Sequence, residues 1–437
     1  MSVRGKLFLT YWRENGTLAA TRLVGRKARN ALRGRRVFNE LPPGSPGGRP
    51  ATVGELASWS FPAVRPLPTF AVPASTRPRI SIVTDSIGSS SLFGGVGTAL
   101  LLAAHLANRM GAVLRIVTRT EPPSPQNVSL ILDAYGVRLD HETQFTFIPP
   151  QADPASGLDV VPGELFITTS WWSTAATLPS VPHDSIIYLL QEDERMFYPF
   201  GEERLRCDEV LNNRSIRFVL NTRMLFEHMV ASGLDHFKTQ AQWFEPAFPA
   251  TLFHARKREP GGKRRLFFYA RPKNPRNLFG PGLALIERAI DEGVLDLDRW
   301  DIFLVGNGIP NLSFGDGYVP KRCEGLDWKA YAELVGTIDL ALSLMYTPHP
   351  SYPPFDLAAS GAVVVTNRFG IKQDLSAYSQ NIICSDLDSD SLLASMRAGI
   401  ALAEDEEARR RNYQANGLGK SWAEAFDRVL HSLTSGH

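Results

Sequence analysis

The sequence predicts an α/β protein built from two successive doubly wound domains, and three observations carry that expectation. Short β-branched runs alternate with amphipathic segments along most of the chain. The pattern breaks at a basic, glycine-containing stretch, "ARKREPGGKRR" (255–265), and then restarts. A chain of 437 residues also exceeds what one ordinary core accommodates. Near-continuous apolar runs mark parallel strands, which are buried on both faces and need helical crossovers.

Taken in order, residues 1–40 read as a basic arm. Up to residue 36 it carries ten Lys or Arg (Arg4, Lys6, Arg13, Arg22, Arg26, Lys27, Arg29, Arg33, Arg35, Arg36) against one acid, Glu14. Apolar residues including Trp12 are interleaved, which suits an amphipathic helix on anionic lipid. A solvated arm packed on the body suits the same residues. Residues 41–79 are rich in Pro and Gly ("LPPGSPGGRP", "FPAVRPLPTFAVP") and read as an extended connector.

The first domain, 80–258, runs through "RISIVTD", a helix over 97–110, "VLRIVTR", "FTFIP", "ELFITTS", "SIIYLLQ" and "IRFVLN". The second, 259–415, repeats the pattern with "RLFFYA", a helix around "GLALIERAI", "DIFLVGNG", "YAELVGTIDLALSL", "GAVVVTN" and "NIICSD". The tail, 416–437, contains "SWAEAFDRVLHSL", an amphipathic helix whose Trp422, Phe426, Val429 and Leu430 need a surface to cover them, expected on the first domain. Ligands of such sheets sit beyond the carboxyl ends of the strands, so two facing sheets create a cleft.

Composition narrows the partners. A net charge of +2 argues against a polyanion, nucleic acid included, covering the whole surface. Cys207, Cys323 and Cys384 are widely spaced and form no C-x-x-C pair, which points to a reducing compartment. There is no apolar run of about 18 residues and no secretory core at the N-terminus. A cytoplasmic protein is expected, peripheral at the inner face of the membrane where the arm meets lipid.

The stretch "LFGGVGTALLLAAHLANRMGA" (92–112) sets Gly94, Gly95 and Gly97 before an apolar helix. Gly95-Val96-Gly97 has the G-x-G spacing of a dinucleotide site. Leu100, however, stands where the third glycine belongs, and eight residues, Ser86 to Phe93, separate the turn from the strand ending at Asp85. The glycines read instead as the lip of the first domain, with the helix N-terminus adding partial positive charge beside a diphosphate. An oxidoreductase is the last of the readings.

Chemistry concentrates in three loops. "YARPKNPRNLFG" places Arg271, Lys273 and Arg276 at a strand end before a helix, a receptor for a diphosphate because guanidinium forks match phosphate oxygens; a solvated loop is the competing reading. Gly306 and Asn307 of "VGNG" bring backbone near the nucleotide. In "TPHPSYPPFDLAASGAVVVTN", Ser351 and Tyr352 offer backbone N–H groups, and Asp356, on the first turn of a short helix, either caps it or accepts from a sugar hydroxyl. On the first domain, "TTSWWSTAAT" (Trp171, Trp172) and "QEDERMFYP" (Gln191, Glu192, Asp193, Glu194) supply aromatic faces and carboxylates for an acceptor sugar, one acid orienting or deprotonating its hydroxyl. A core tryptophan pair and an exposed charged turn are the alternatives. The D-x-D strings Asp296/Asp298 and Asp386/Asp388 read as helix termini and caps, so neither a divalent metal nor a cofactor besides the donor substrate is expected.

The order of basic loop, "VGNG" and "SYPPFDLAASGAVVVTN" resembles the C-terminal half of retaining glycosyltransferases of the B fold (GT-B), with two Rossmann-like domains. More narrowly, "YARPKNPRN", "SYPPFDLAASGAVVVTN", "TTSWWSTA", "YLLQEDERMFYP", "NTRMLFE" and "WFEPAF" are similar to bacterial WsaF-type rhamnosyltransferases of cell-surface polysaccharide synthesis, from about Arg79 onward. The resemblance implies that Arg271 and Arg276 stabilise the departing diphosphate with Lys273 as helper, that Asp356 holds the ribose, and that Glu194 is the acid of the acceptor loop. It implies dTDP-β-L-rhamnose as donor and a glycan or lipid-linked saccharide as acceptor. Two departures stand out: Pro348 occupies the place of the first acid of the family's acid-x7-acid pair, and Asp356 is one methylene shorter than the usual Glu. The shorter acid is compatible with a deoxyribose. Base selectivity depends on backbone contacts near "VGNG" and "CEGLD", so a UDP- or GDP-sugar donor stays open, and the missing first acid at Pro348 keeps open a non-catalytic module binding sugar nucleotide or glycan.

Overall fold

A computed structural model describes residues 52–53, 60–75, 77–88, 92–256, 261–315 and 317–435. The chain divides into two compact units, Met1–Pro62 and Ala63–His437. The basic arm of 1–40 lies outside the described residues, as does much of the connector.

Within Ala63–His437 the first run of elements is β1 (Thr69–Ala71), β2 (Arg79–Thr84), α1 (Gly97–Met110), β3 (Val113–Thr118), α2 (Pro125–Ala134), β4 (Gln144–Phe147), β5 (Leu158–Val160), β6 (Leu165–Thr168), α3 (Trp171–Thr177), β7 (Ile186–Leu190), α4 (Glu202–Leu211), β8 (Arg217–Asn221), α5 (Arg223–Ala231) and β9 (Ala241–Phe244). The second is β10 (Arg264–Ala270), α6 (Phe279–Asp291), β11 (Trp300–Gly306), β12 (Lys321–Glu324), α7 (Trp328–Val335), β13 (Leu340–Leu342), α8 (Tyr352–Ala359), β14 (Val363–Asn367), β15 (Ile382–Ser385), α9 (Ser389–Glu404), α10 (Glu406–Gln414) and α11 (Trp422–Thr434).

Seven parallel strands form one sheet in the order β4-β3-β2-β6-β7-β8-β9, and six form the other as β12-β11-β10-β13-β14-β15. Both are doubly wound. The apolar runs explain why: every residue of β2, β7 and β14 is buried, so helices must cover both faces. Strand order reverses between β2 and β6 and again between β10 and β13. Those reversals open a crevice at the carboxyl edge of each sheet.

The proline-rich connector is more ordered than its composition suggests, because β1 pairs in parallel with β5 as a two-stranded sheet. β5 also carries Asp159, which with Glu164 neutralises two buried arginines: Arg79 Nη1 and Arg115 Nη1 donate to Asp159 at 2.7 and 2.8 Å, and Arg79 Nε donates to Glu164 at 3.0 Å. Arg79 opens β2 and Glu164 immediately precedes β6, so this network holds the opposite edge of the sheet from the crevice. The last helix, α11, buries Trp422, Phe426, Val429, Leu430 and Leu433 in one cluster with Ile80, Leu100, Leu106 and Phe244 of the first domain.

Candidate active site between the two sheets

The loop leaving β10 carries the three predicted cations. Arg276 is half-buried, its guanidinium 3.8 Å from the centre of the Phe197 ring, which belongs to the loop leaving β7 in the first domain. Burial lowers its pKa, while Glu192 and Glu194 counteract that effect. Arg271 is exposed and Nη1 donates to the Tyr269 hydroxyl at 3.3 Å. Lys273 is also exposed and lies along the "VGNG" turn, where a Cβ on Gly308 would stand 3.5 Å from its Cε. Gly306 is glycine for steric reasons: a Cβ there would fall 1.8 Å from the Ala270 carbonyl oxygen. Asn307 is exposed beside it. A basic rim with one recessed guanidinium thus stands at the second sheet's reversal point.

The loop leaving β13 lies against this rim, Tyr346 N–H donating to the Arg276 carbonyl at 2.7 Å. Here several expectations change. The Ser351 N–H, expected to serve a diphosphate, instead donates to His349 Nδ1 at 3.0 Å. The side chain of Tyr352 packs toward the first domain: its hydroxyl lies 2.5 Å from Thr98 Oγ1 and accepts from Asn221 Nδ2 at 2.9 Å. Asp356 is the fifth residue of α8 rather than a first-turn cap, because the helix has already begun at Tyr352. Its buried carboxyl accepts from the Tyr331 hydroxyl at 3.0 Å, and burial lifts its pKa to about 8.

The glycine turn meets that helix directly. Gly94 has φ +76°, and a Cβ on it would stand 3.5 Å from Tyr352 Cδ2. The Gly95 carbonyl accepts from Gln191 Nε2 at 2.6 Å, and Gly97 is the buried first residue of α1. Gly94 and Gly95 therefore seat the second domain's tyrosine and the loop leaving β7, while Gly97 starts the helix. Thr222, Leu278 and Ser351 are the described non-glycine residues at positive φ, 74°, 48° and 73°. Each directly precedes a helix (α5, α6, α8) at a carboxyl edge. Such backbone costs about 1–3 kcal/mol per residue and collects at working sites.

Within "QEDER" the four candidates have different fates. Gln191 holds the glycine turn. Glu192 accepts weakly from Thr347 Oγ1 at 3.4 Å and approaches His349 Nδ1 to 3.8 Å, both on the loop leaving β13; burial raises its pKa to about 7. Asp193 turns inward rather than toward an acceptor. It accepts from Arg195 Nε and Nη2, both at 2.8 Å, and lies 3.1 Å from His228 Nε2. Burial opposes ionisation there, but these hydrogen bonds prevail and hold its pKa near 2. Glu194 is buried, accepts from the Trp171 backbone N–H at 2.9 Å, and burial raises its pKa to about 8.

Trp171 is core, 3% exposed, its indole N–H donating to the Tyr198 hydroxyl at 2.9 Å. Trp172 is half-buried and donates to Asp85 at 2.7 Å, at the carboxyl end of β2. Both D-x-D strings are local structure: Asp296 accepts from Asp298 N–H, and Asp388 caps α9 by accepting from Ser391 N–H. Among the described residues no three His, Cys, Asp or Glu side chains converge as metal ligands.

Sequence reasoning passed over His349, Lys372, Asn221 and Phe197. Lys372 follows a turn and reads as a surface lysine, yet it is fully buried and donates to the Met345 carbonyl at 2.9 Å. Burial lowers its pKa to about 8, partly offset by Glu192. Only the return of the chain toward β13 puts it there.

Comparison with known proteins agrees with this architecture. The WsaF N-terminal domain matches residues 79–223, and the WsaF C-terminal domain matches residues 264–397. The O-antigen biosynthesis protein RfbC of Myxococcus xanthus is 29% identical over 276 residues, which is 62% of this chain and 20% of RfbC. The chain thus spans about a fifth of that relative's length. Among solved structures, sucrose-phosphate synthase from Thermosynechococcus elongatus superposes with a TM-score of 0.57 at 14% identity, covering 83% of this chain and 100% of that one. HepE of Anabaena in complex with UDP and glucose gives 0.56 at 12% identity, over 82% and 99%. At such identities the likeness is one of fold. With both WsaF domains present in order on two doubly wound sheets, the chain belongs to the WsaF family and has the GT-B fold that these solved structures share.

Proposed function

We propose that the protein transfers L-rhamnose from dTDP-β-L-rhamnose to a glycan or lipid-linked saccharide in cell-surface polysaccharide synthesis, with retention and without a divalent metal. The observation that carries a nucleotide-sugar donor is the basic rim at the reversal point of the second sheet, where Arg276 is recessed against Phe197 and Arg271 and Lys273 flank it. Breaking the sugar–phosphate bond builds negative charge on the departing diphosphate. Fixed cations there stabilise the transition state more than the ground state. HepE, which shares the fold, was solved with UDP and glucose, and the RfbC name places a relative in O-antigen synthesis; both support the donor class and the pathway class. The choice of rhamnose and of retention rests on the motif resemblance alone. Trp172 and Glu194 are the acceptor-side candidates, and the basic arm is the candidate for lipid contact.

Thermal shift against dTDP, UDP, GDP and NADPH tests this reading, since a ligand of the folded state raises stability. Stabilisation by dTDP that is lost in Arg271→Ala and Arg276→Ala proteins is expected. A response to UDP or GDP without dTDP would move the donor to another base, and a response to NADPH alone would end the transferase proposal.

A further inference from the structure

Two buried polar atoms lack a protein partner on loops that come together from the two domains. Glu192 Oε2, on the loop leaving β7, accepts no hydrogen bond, and His349 Nε2, on the loop leaving β13, makes none. The residues themselves approach to 3.8 Å between Glu192 Oε1 and His349 Nδ1. His349 is 3% exposed and Glu192 keeps 14% of its side chain accessible.

The protonation of the imidazole follows from its neighbours. A backbone N–H can only donate, so the Ser351 N–H fixes Nδ1 of His349 as an acceptor. Burial and Lys372 keep the ring neutral, lowering its pKa to about 3, and a neutral ring that accepts at Nδ1 carries its proton on Nε2. The pair therefore offers one unused donor and one unused acceptor. A buried polar atom left unpaired keeps an uncompensated desolvation cost, which a ligand completing both bonds would recover. A sugar hydroxyl, at once donor and acceptor, is the group that completes both; a phosphate oxygen would be repelled by the carboxylate.

We propose that Glu192 and His349 together bind a hydroxyl of the sugar being transferred. The assignment rests on the nucleotide-sugar reading above and adds the groups that recognise the sugar itself. It also gives His349, next to Pro348, the sugar contact for which an acid is missing. Asp193 and Glu194, the other acids of the loop, are engaged by Arg195 and by the Trp171 N–H, which leaves Glu192 for this role.

Isothermal titration of the full chain with dTDP and with dTDP-β-L-rhamnose separates sugar recognition from nucleotide recognition. Glu192→Gln removes the anionic acceptor. His349→Asn keeps an acceptor for the Ser351 N–H but cannot reach the position of Nε2. Both variants are expected to bind dTDP within about twofold of the parent and to lose about tenfold in affinity for the sugar nucleotide, the scale of one charge-assisted hydrogen bond. Should Glu192→Gln not fold, Glu192→Asp, which withdraws the carboxylate by one methylene, replaces it. An unchanged ratio of the two affinities, or a parent with no preference for the sugar nucleotide, overturns the assignment while leaving dTDP binding intact. A parent that binds neither ligand overturns the donor reading on which it rests.

Discussion

The hydroxyl of Tyr352 lies 2.5 Å from the hydroxyl of Thr98, joining the first residue of α8 in one domain to α1 in the other. Asn221 Nδ2 donates to the same phenol at 2.9 Å, so the clasp reaches the end of β8 as well. Tyr352→Phe leaves two polar groups of the first domain without this partner. A loss of about 1–3 kcal/mol in urea unfolding is expected, with dTDP affinity within about twofold of the parent and slower turnover of the sugar nucleotide. A tenfold drop in nucleotide affinity would instead make Tyr352 a donor contact.

Gly95→Val addresses the other side of that clasp. A Cβ at Gly95 stands 3.2 Å from Gln191 Nε2, so a branched side chain must displace Gln191. Turnover should fall by an order of magnitude or more, roughly the 1.4 kcal/mol that a factor of ten represents, while dTDP affinity holds. Abolished dTDP binding in a folded variant would return the glycine turn to a phosphate-binding role.

Arg276 and Arg271 should respond differently to lysine. Arg276 stacks on Phe197 at 3.8 Å, a contact that depends on a planar guanidinium, whereas Arg271 is exposed. Arg276→Lys is expected to weaken dTDP binding by about tenfold and Arg271→Lys by about threefold or less, measured by titration at fixed ionic strength. Equal losses would show that charge alone matters at both positions.

Asp356 sets a pH dependence of stability. Burial raises its folded-state pKa to about 8 from an ordinary value of 3.8. Between those values the folded protein holds a proton that the unfolded chain has released, so stability falls as pH rises, by at most about 1.4 kcal/mol per unit. The loss is complete above the folded pKa. Asp356→Asn, which cannot ionise, should flatten the decline in melting temperature measured from pH 5 to 9. An unaltered slope would assign the dependence to Glu194, whose pKa is raised to about 8 by the same cause.

Asp193 behaves in the opposite sense. Held near pKa 2, it contributes stability that is present above its ordinary 3.8 and lost as pH falls toward 2. Asp193→Asn removes one of the two carboxylates that neutralise Arg195, Asp208 being the other, and is expected to cost about 1–3 kcal/mol in chemical denaturation. An unchanged Michaelis constant for the acceptor would accompany that loss, since this carboxylate faces inward.

The sheets were legible because burial on both faces leaves a plain mark: the five residues of β7 and the seven of β10 stand out as largely apolar runs in the amino-acid sequence itself. The cation loop was legible too, since Arg271, Lys273 and Arg276 are close in sequence. Asp356 was not, because the sequence shows an acid near prolines but not where the helix starts; one turn separates a cap from a core carboxyl. Lys372 and His349 owe their roles to chain reversals that bring them against Glu192 from far along the sequence. Asp193 and Glu192 are adjacent, yet only the packing of Arg195 and Thr347 decides which turns inward and which faces the cleft.

The placement of α11 governs how the protein can be divided. The chain leaves the first sheet after β9, builds the whole of the second, and then sends its last helix back to bury Trp422 and Phe426 against Phe244 and Leu100. No single cut therefore yields two intact halves. A chimera that exchanges the second sheet must keep residues 422–434 with the first, as an insertion rather than a C-terminal fusion.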